Sequence, residues 1–319
     1  MPAPHRVDVH HHPSPPSYLE ARTDIRHAPA QQGWSAAKSI EDMDRGGVAV
    51  SMLSLPHSKH IFPGSVAECR RLVREWNDFM AGLVRDYPGR FGIFASLPIL
   101  DIEGSLREID YAFDTLKVDG FTLMTNIGDK WIGDPHYAPV FEELNRRKAV
   151  IYTHPVAPDC CRSIDPGLND SVIEYATDTT RAIARMLFSG SAARYPDIRI
   201  IWSHGGGTMP YIVERFMRAH LFSRNNLKEM VPEGIIPALN KFYYDTAQAS
   251  HIYAMSALTK VVGVSQLMFG TDFPYRTAAE HVEGLAGCGF SAGELHAIDC
   301  GNAHRLMPQL AAKQKEKSS

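Results

Sequence analysis

Four stretches of this chain carry the residue types of a metal site. They are Asp8-Val9-His10-His11-His12, Thr153-His154-Pro155, Ser203-His204-Gly205-Gly206-Gly207 and Gly270-Thr271-Asp272-Phe273-Pro274. Two imidazoles two residues apart on an extended strand point to the same side, so His10 and His12 can reach one ion. The same alternation predicts that Asp8 shares their face. Val7, Val9 and His11 then take the other face, where the valines can pack against helices. A tag-like histidine run would lack this flanking valine pattern and the organised chain that follows it. Adding His154 and Asp272 gives three neutral imidazoles and a carboxylate. That donor set suits Zn2+, Mn2+ or Fe2+ and leaves a position for water or substrate. His204 then stands beside the ion as an acid/base group, the common role of an imidazole near neutral pH.

These residues need a scaffold that brings distant stretches together. Short apolar runs recur at Arg6–His10, Val48–Leu55, Phe91–Leu97, Gly120–Thr125, Ala149–Thr153, Ile198–Ser203, Lys241–Asp245 and Gln266–Gly270. Helical periodicity separates them, at Ile40–Arg45, Val66–Asp86, Ile102–Leu116, Ala138–Arg147, within Val172–Ala193, at Met209–Phe222 and at Tyr253–Val261. Ala278–Ala286 and Ala292–Leu306 close the series. Strand–helix alternation implies parallel strands joined by crossover helices. Eight such units predict an α/β fold, a (β/α)8 TIM-like barrel, formed by one catalytic domain over residues 1–308 with a disordered tail at 309–319. An open doubly wound sheet would offer a Gly-rich phosphate loop after the first strand, where this chain has His-His-His-Pro-Ser-Pro-Pro. In a barrel the chemistry sits at the C-terminal strand ends. Strands one, five, six and eight end there in the four stretches named above. The fourth strand runs into Asn126-Ile127-Gly128 with no lysine to bridge a second metal, which points to a single ion.

The net charge of −3 and pI near 6.6 give no electrostatic case for nucleic acid or an anionic membrane. The five cysteines (Cys69, Cys160, Cys161, Cys288, Cys300) show no CxxC spacing. Their odd number, without the pattern of an export signal, predicts reduced thiols and a cytoplasmic protein. No run of 18 apolar residues predicts a membrane span.

The motifs together resemble the amidohydrolase superfamily. Within it they are most similar to the branch of aminocarboxymuconate semialdehyde decarboxylase and related aromatic-acid decarboxylases. The resemblance spans nearly the whole chain: Asp8–His12, Trp34-Ser35 with Met43-Asp44 and Val48, Tyr152–Pro155, Ser203–Pro210, Gly270–Pro274 and Gly301–Leu306. The opening Val7–Pro16 and Trp34-Ser35 look most like 6-methylsalicylate decarboxylase-type members. The resemblance implies a distorted barrel and one divalent metal, Zn2+ first and Mn2+ as the alternative. The implied ligands are His10, His12, His154 and Asp272, with His204, or Asp272 itself, transferring the proton. It also implies a homodimer, in which Arg215 reaches the neighbouring subunit's site and binds a substrate carboxylate. A second arginine has no clear match, Arg22 and Arg26 being the candidates.

Decarboxylation of a small aromatic or conjugated acid is the activity this implies. Aromatic loop residues suit a planar substrate, and Trp34, His57, Trp131, Phe273 and Tyr275 are the expected lining. Two alternatives use the same residues. One is hydrolysis of a lactone, ester or amide with His204 as base; the other is a metal-binding protein without catalysis.

Overall fold

A computed structural model describes residues 4–21, 29–56, 65–161, 167–221 and 226–311. Each apolar run forms a strand: β1 (Arg6–His11), β2 (Val48–Leu53), β3 (Phe91–Ala95), β4 (Gly120–Met124), β5 (Val150–His154), β6 (Arg199–Trp202), β7 (Tyr243–Asp245) and β8 (Leu267–Met268). They pair in chain order, all parallel, in one eight-stranded sheet. The chain just past β8 then meets β1. Val9 N–H donates to Phe269 O (3.0 Å), Asp272 N–H to His10 O (2.9 Å) and His12 N–H to Phe273 O (2.8 Å). Those bonds close the barrel, and they also fasten the Asp272 segment to the strand carrying His10 and His12.

The long crossover helices are α1 (Ala36–Arg45), α2 (Val66–Asp86), α3 (Ile102–Tyr111), α4 (Ala138–Arg146), α5 (Glu174–Phe188), α6 (Met209–Met217), α7 (Ile252–Val261) and α8 (Ala278–Ala286). Side-chain caps begin several of them: Ser35 accepts from Lys38 N–H, Ser65 from Glu68 N–H, and Thr277 forms a capping box with Glu280. The final helical region is three pieces, Ala292–His296, a π turn at Ala297–Gly301, and Asn302–Leu306. A small antiparallel hairpin, Asn126–Ile127 with Lys130–Trp131, follows β4 and was not expected from the sequence.

Two apolar layers form. The outer one packs strand residues such as Leu53, Phe121, Ile151 and Trp202 against the helices. The inner one fills the barrel with Val50, Met52, Phe94, Tyr152, Ile201 and Met268, and Cys300, Ala303, Met307 and Leu310 join it from the C-terminal region. Leu310 is fully buried, so ordered chain continues past residue 308.

Val7 and Val9 belong to this inner cluster, not to the helix-facing layer predicted for them. Asp8 also departs from prediction: it does not share a face with His10 and His12. The register of β1 against β2 slips between Asp8 and His11, which breaks the alternation. Asp8 instead accepts from Ser51 Oγ (3.3 Å), Thr271 Oγ1 (2.8 Å), Thr271 N–H (3.0 Å) and His10 N–H (3.0 Å), and contacts His11 Nδ1 at 3.0 Å. This buried carboxylate fastens the closing seam. Asp8→Ala, which strands several buried donors, is expected to destabilise the protein by about 3 kcal/mol. Denaturant unfolding checks this through a lowered midpoint at constant slope.

Candidate metal centre

After the slip in β1, His10 and His12 point into the barrel mouth while His11 points outward to Ser39 of α1 (Nε2 to Oγ, 2.9 Å). In β5 the period of two puts Tyr152 and His154 on the inner face. Asp245 ends β7, and Asp272 follows β8 on the segment bonded to β1. His10, His12, His154 and Asp272 are all buried, and each offers a ligand atom within 4.8 Å of the others. His10 Nε2 and His12 Nε2 are 2.9 Å apart, and Asp272 Oδ1 is 3.2 Å from each. Separations of this size are edges of a coordination shell about 2 Å in radius.

The far nitrogen of each imidazole has its own acceptor. Nδ1 of His10 faces Asp245 Oδ2 (2.8 Å), that of His12 faces Ser54 O (2.9 Å), and that of His154 faces Pro155 O (2.9 Å). These partners place the proton on Nδ1 and turn each Nε2 lone pair inward. Three lone pairs and a carboxylate then converge without a donor among them. Asp272 Oδ1 is buried with no hydrogen-bond partner among the described residues. Such an orphaned atom fits a cation at the centre of the group.

Charge follows the same pattern. Burial lowers the pKa of His10, but the Asp272 and Asp245 carboxylates outweigh it and push the pKa up to about 10. A metal ion would replace the positive charge that those carboxylates attract. Burial and the neighbouring imidazoles hold His154 well below the usual histidine range, and burial also lowers His12. Burial works to raise Asp272, yet His10 and the other imidazoles keep it well below the usual carboxylate range, so it is ionised.

Asp272 divides its oxygens between two neighbourhoods. Oδ1 faces His10 and His12, while Oδ2 lies 3.4 Å from His204 Nε2 and accepts from Gln248 Nε2 at 2.8 Å. The His204 backbone N–H donates to Asp245 Oδ1 (2.7 Å), and Tyr152 OH donates to Asp245 Oδ2 (3.2 Å). Asp245 thus links His10, His204 and Tyr152. The glycines after His204 take positive φ, and a Cβ on Gly207 would meet Ala176 O at 2.0 Å, so they let this turn pack against the start of α5. Asp245 and Gln248 were not singled out from the sequence. The signal for Asp245 was its position at a strand's C-terminal end; Gln248 gave none.

The expected lining residues are dispersed. Tyr275 is exposed, with its ring 6.3 Å from that of His12, and the Tyr175 ring lies 6.0 Å from His154. Phe273 stacks on His11 (4.7 Å, 15°), which sets it on the outer side of β1. The Trp34 indole N–H donates to Ser39 Oγ (2.9 Å), also on that side. Trp131 donates to the buried Asp178 (2.8 Å). Arg215 is exposed on α6, and His57, Arg22 and Arg26 lie outside the described residues.

Comparison with known proteins agrees with this architecture. Residues 7–308 match the family model described as amidohydrolase. The chain is 36% identical to the decarboxylase yanB of Aspergillus niger, over 95% of this chain and 88% of that protein. It is 32% identical to a 6-methylsalicylic acid decarboxylase of Penicillium expansum, over 84% of this chain and 85% of that protein. Among solved structures, a dihydroxybenzoic acid decarboxylase of Polaromonas with bound manganese and 2-nitroresorcinol superposes with a TM-score of 0.85 at 20% identity, over 97% of this chain and 98% of that one. With a family match over residues 7–308 and relatives 32–36% identical over 84–95% of its length, the chain belongs to the amidohydrolase family.

Proposed function

We propose that this protein is a metal-dependent, non-oxidative decarboxylase of a small aromatic acid with a hydroxyl beside the carboxylate, of the 6-methylsalicylate type. The observation that carries this reading is the division of Asp272, one oxygen turned to the metal ligands and the other to His204. The name of the Penicillium relative supports the substrate class, and that of the Aspergillus relative supports the reaction alone.

His10, His12, His154 and Asp272 would hold the ion, with Zn2+ preferred and Mn2+ the alternative. Bound there, the metal supplies a Lewis acid that anchors the substrate carboxylate and its neighbouring hydroxyl. The protein's own groups handle the proton. A proton held between His204 and Asp272 Oδ2 passes to the ring carbon bearing the carboxylate. The C–C bond then breaks, its electron pair restores the ring, and CO2 leaves. Tyr275 and Tyr175 flank the mouth in which a planar ring would sit.

The test is a substrate panel assayed in parallel for CO2 release from hydroxybenzoates and for lactone, ester or amide opening. CO2 release from an ortho-hydroxybenzoate, abolished by chelation and restored by Zn2+ or Mn2+, is the expected result. Hydrolysis alone would sink the assignment.

The same proposal includes a single catalytic domain, a cytoplasmic location and a homodimer. Five cysteines without a disulfide support the location. Among the described residues no helix is long and apolar enough to cross a membrane. The exposed Tyr211, Met217 and Leu221, together with Ile252 and Tyr253 of the adjoining α7, support an interface beside Arg215. Light scattering is expected to give a dimer; a fully active monomer would remove Arg215 from the site.

A further inference from the structure

Three non-glycine residues at consecutive strand ends adopt left-handed backbone: His204 after β6 (φ 53°), Gln248 after β7 (φ 55°) and Asp272 after β8 (φ 62°). A residue with a Cβ resists this conformation, and it persists only where its surroundings fix it. Here the three side chains meet at one atom. Gln248 Nε2 donates to Asp272 Oδ2 at 2.8 Å, and His204 Nε2 approaches the same oxygen at 3.4 Å. The carboxylate can only accept, so the amide nitrogen is the end that faces it.

Half a turn about Cβ–Cγ merely exchanges the two equivalent carboxylate oxygens, but a partial turn would take one oxygen off His10 and His12 and the other off His204. What must be fixed is therefore the plane of the Asp272 carboxylate. The Gln248 amide is a side-chain donor that holds it. Gln248 is exposed, so burial of its side chain does not explain its strained position.

Resting on the decarboxylase reading, we propose that Gln248 is the positioning residue of the proton-transfer pair. It clamps Asp272 Oδ2 beside His204 and so commits Oδ1 to the metal.

The test compares Q248G and Q248N with the wild-type protein, each loaded with Mn2+. Both replacements tolerate left-handed backbone; glycine carries no amide, and the asparagine amide, one methylene shorter, is drawn back from Asp272 Oδ2. Four quantities are measured: metal stoichiometry, melting temperature, the Mn2+ electron paramagnetic resonance spectrum, and kcat and KM on 6-methylsalicylate. The expected result is full metal stoichiometry, a melting temperature unchanged or raised in Q248G, and an altered Mn2+ spectrum. With these, kcat is expected to fall about 10–100-fold while KM stays within about threefold, the scale of a lost outer-shell hydrogen bond. Wild-type kcat with an unchanged spectrum would overturn the proposal. So would a fall in kcat that merely tracks loss of metal, because Gln248 would then be retaining the ion and not orienting the pair. If the wild-type protein releases no CO2 from any acid, the decarboxylase reading fails on its own. The spectrum then still decides whether Gln248 sets the orientation of Asp272.

Discussion

Replacing His204 by alanine is expected to leave the metal stoichiometry unchanged and to lower kcat by about 10²–10⁴-fold, the usual contribution of a positioned acid/base group. The geometry separates this histidine from the ligands. His10, His12, His154 and Asp272 form the mutually close set, whereas His204 Nε2 approaches the outer oxygen of Asp272 at 3.4 Å. The His204 backbone N–H holds Asp245, and that contact survives removal of the side chain. Because His204 has φ 53°, His204→Asn is the companion variant that tolerates the backbone. Elemental analysis with steady-state kinetics checks both variants. Metal loss in both would make His204 a ligand and reverse the assigned roles.

The second large effect belongs to His154. His154→Ala is expected to weaken metal binding by more than the roughly 10–100-fold typical of outer-shell changes, and to abolish turnover with it. His154 is suited to ligation because burial and the neighbouring imidazoles keep it neutral, while Pro155 O fixes its Nδ1 proton. The metal binds the folded state, so its loss also removes the stability that binding confers. The melting temperature of the variant is therefore expected to become insensitive to added Zn2+ or Mn2+, whereas that of the wild-type protein rises. A wild-type metal response in the variant would exclude His154 from the site.

The sequence reveals much of this arrangement because barrel chemistry concentrates at strand ends. His154 directly ends an apolar run, and Asp272 follows one closely. The positions of all eight strands followed from the same periodicity. What was not legible depends on partners far along the chain. The slip in β1 leaves Asp8 bonded to Thr271, 263 residues away, and no local pattern signals it. Alternation separates two faces without naming them, so it does not tell whether Val7 and Val9 meet the helices or the barrel interior. In a closed barrel both faces are apolar, so either can take the valines. Asp245 was visible as an aspartate at a strand end, but its contact with His10 appears only when β7 is folded beside the mouth. Gln248 is an ordinary polar residue until its backbone angle and its bond to Asp272 are known. Trp34 and Phe273 suit a lining in sequence only by being aromatic and near motifs. The structure ties both to the outer side of β1, through Ser39 and His11.

In the proposed reaction a proton carried by this chain replaces a carboxylate on an aromatic ring. The most direct test is turnover of 6-methylsalicylate labelled with 13C in its carboxyl group, with the metal-loaded protein in D2O. One 13CO2 is expected for each product molecule, with one deuteron at the ring carbon that lost it. Retention of the label in the organic product, or release of 13CO2 without deuterium at that carbon, would contradict the proposed reaction.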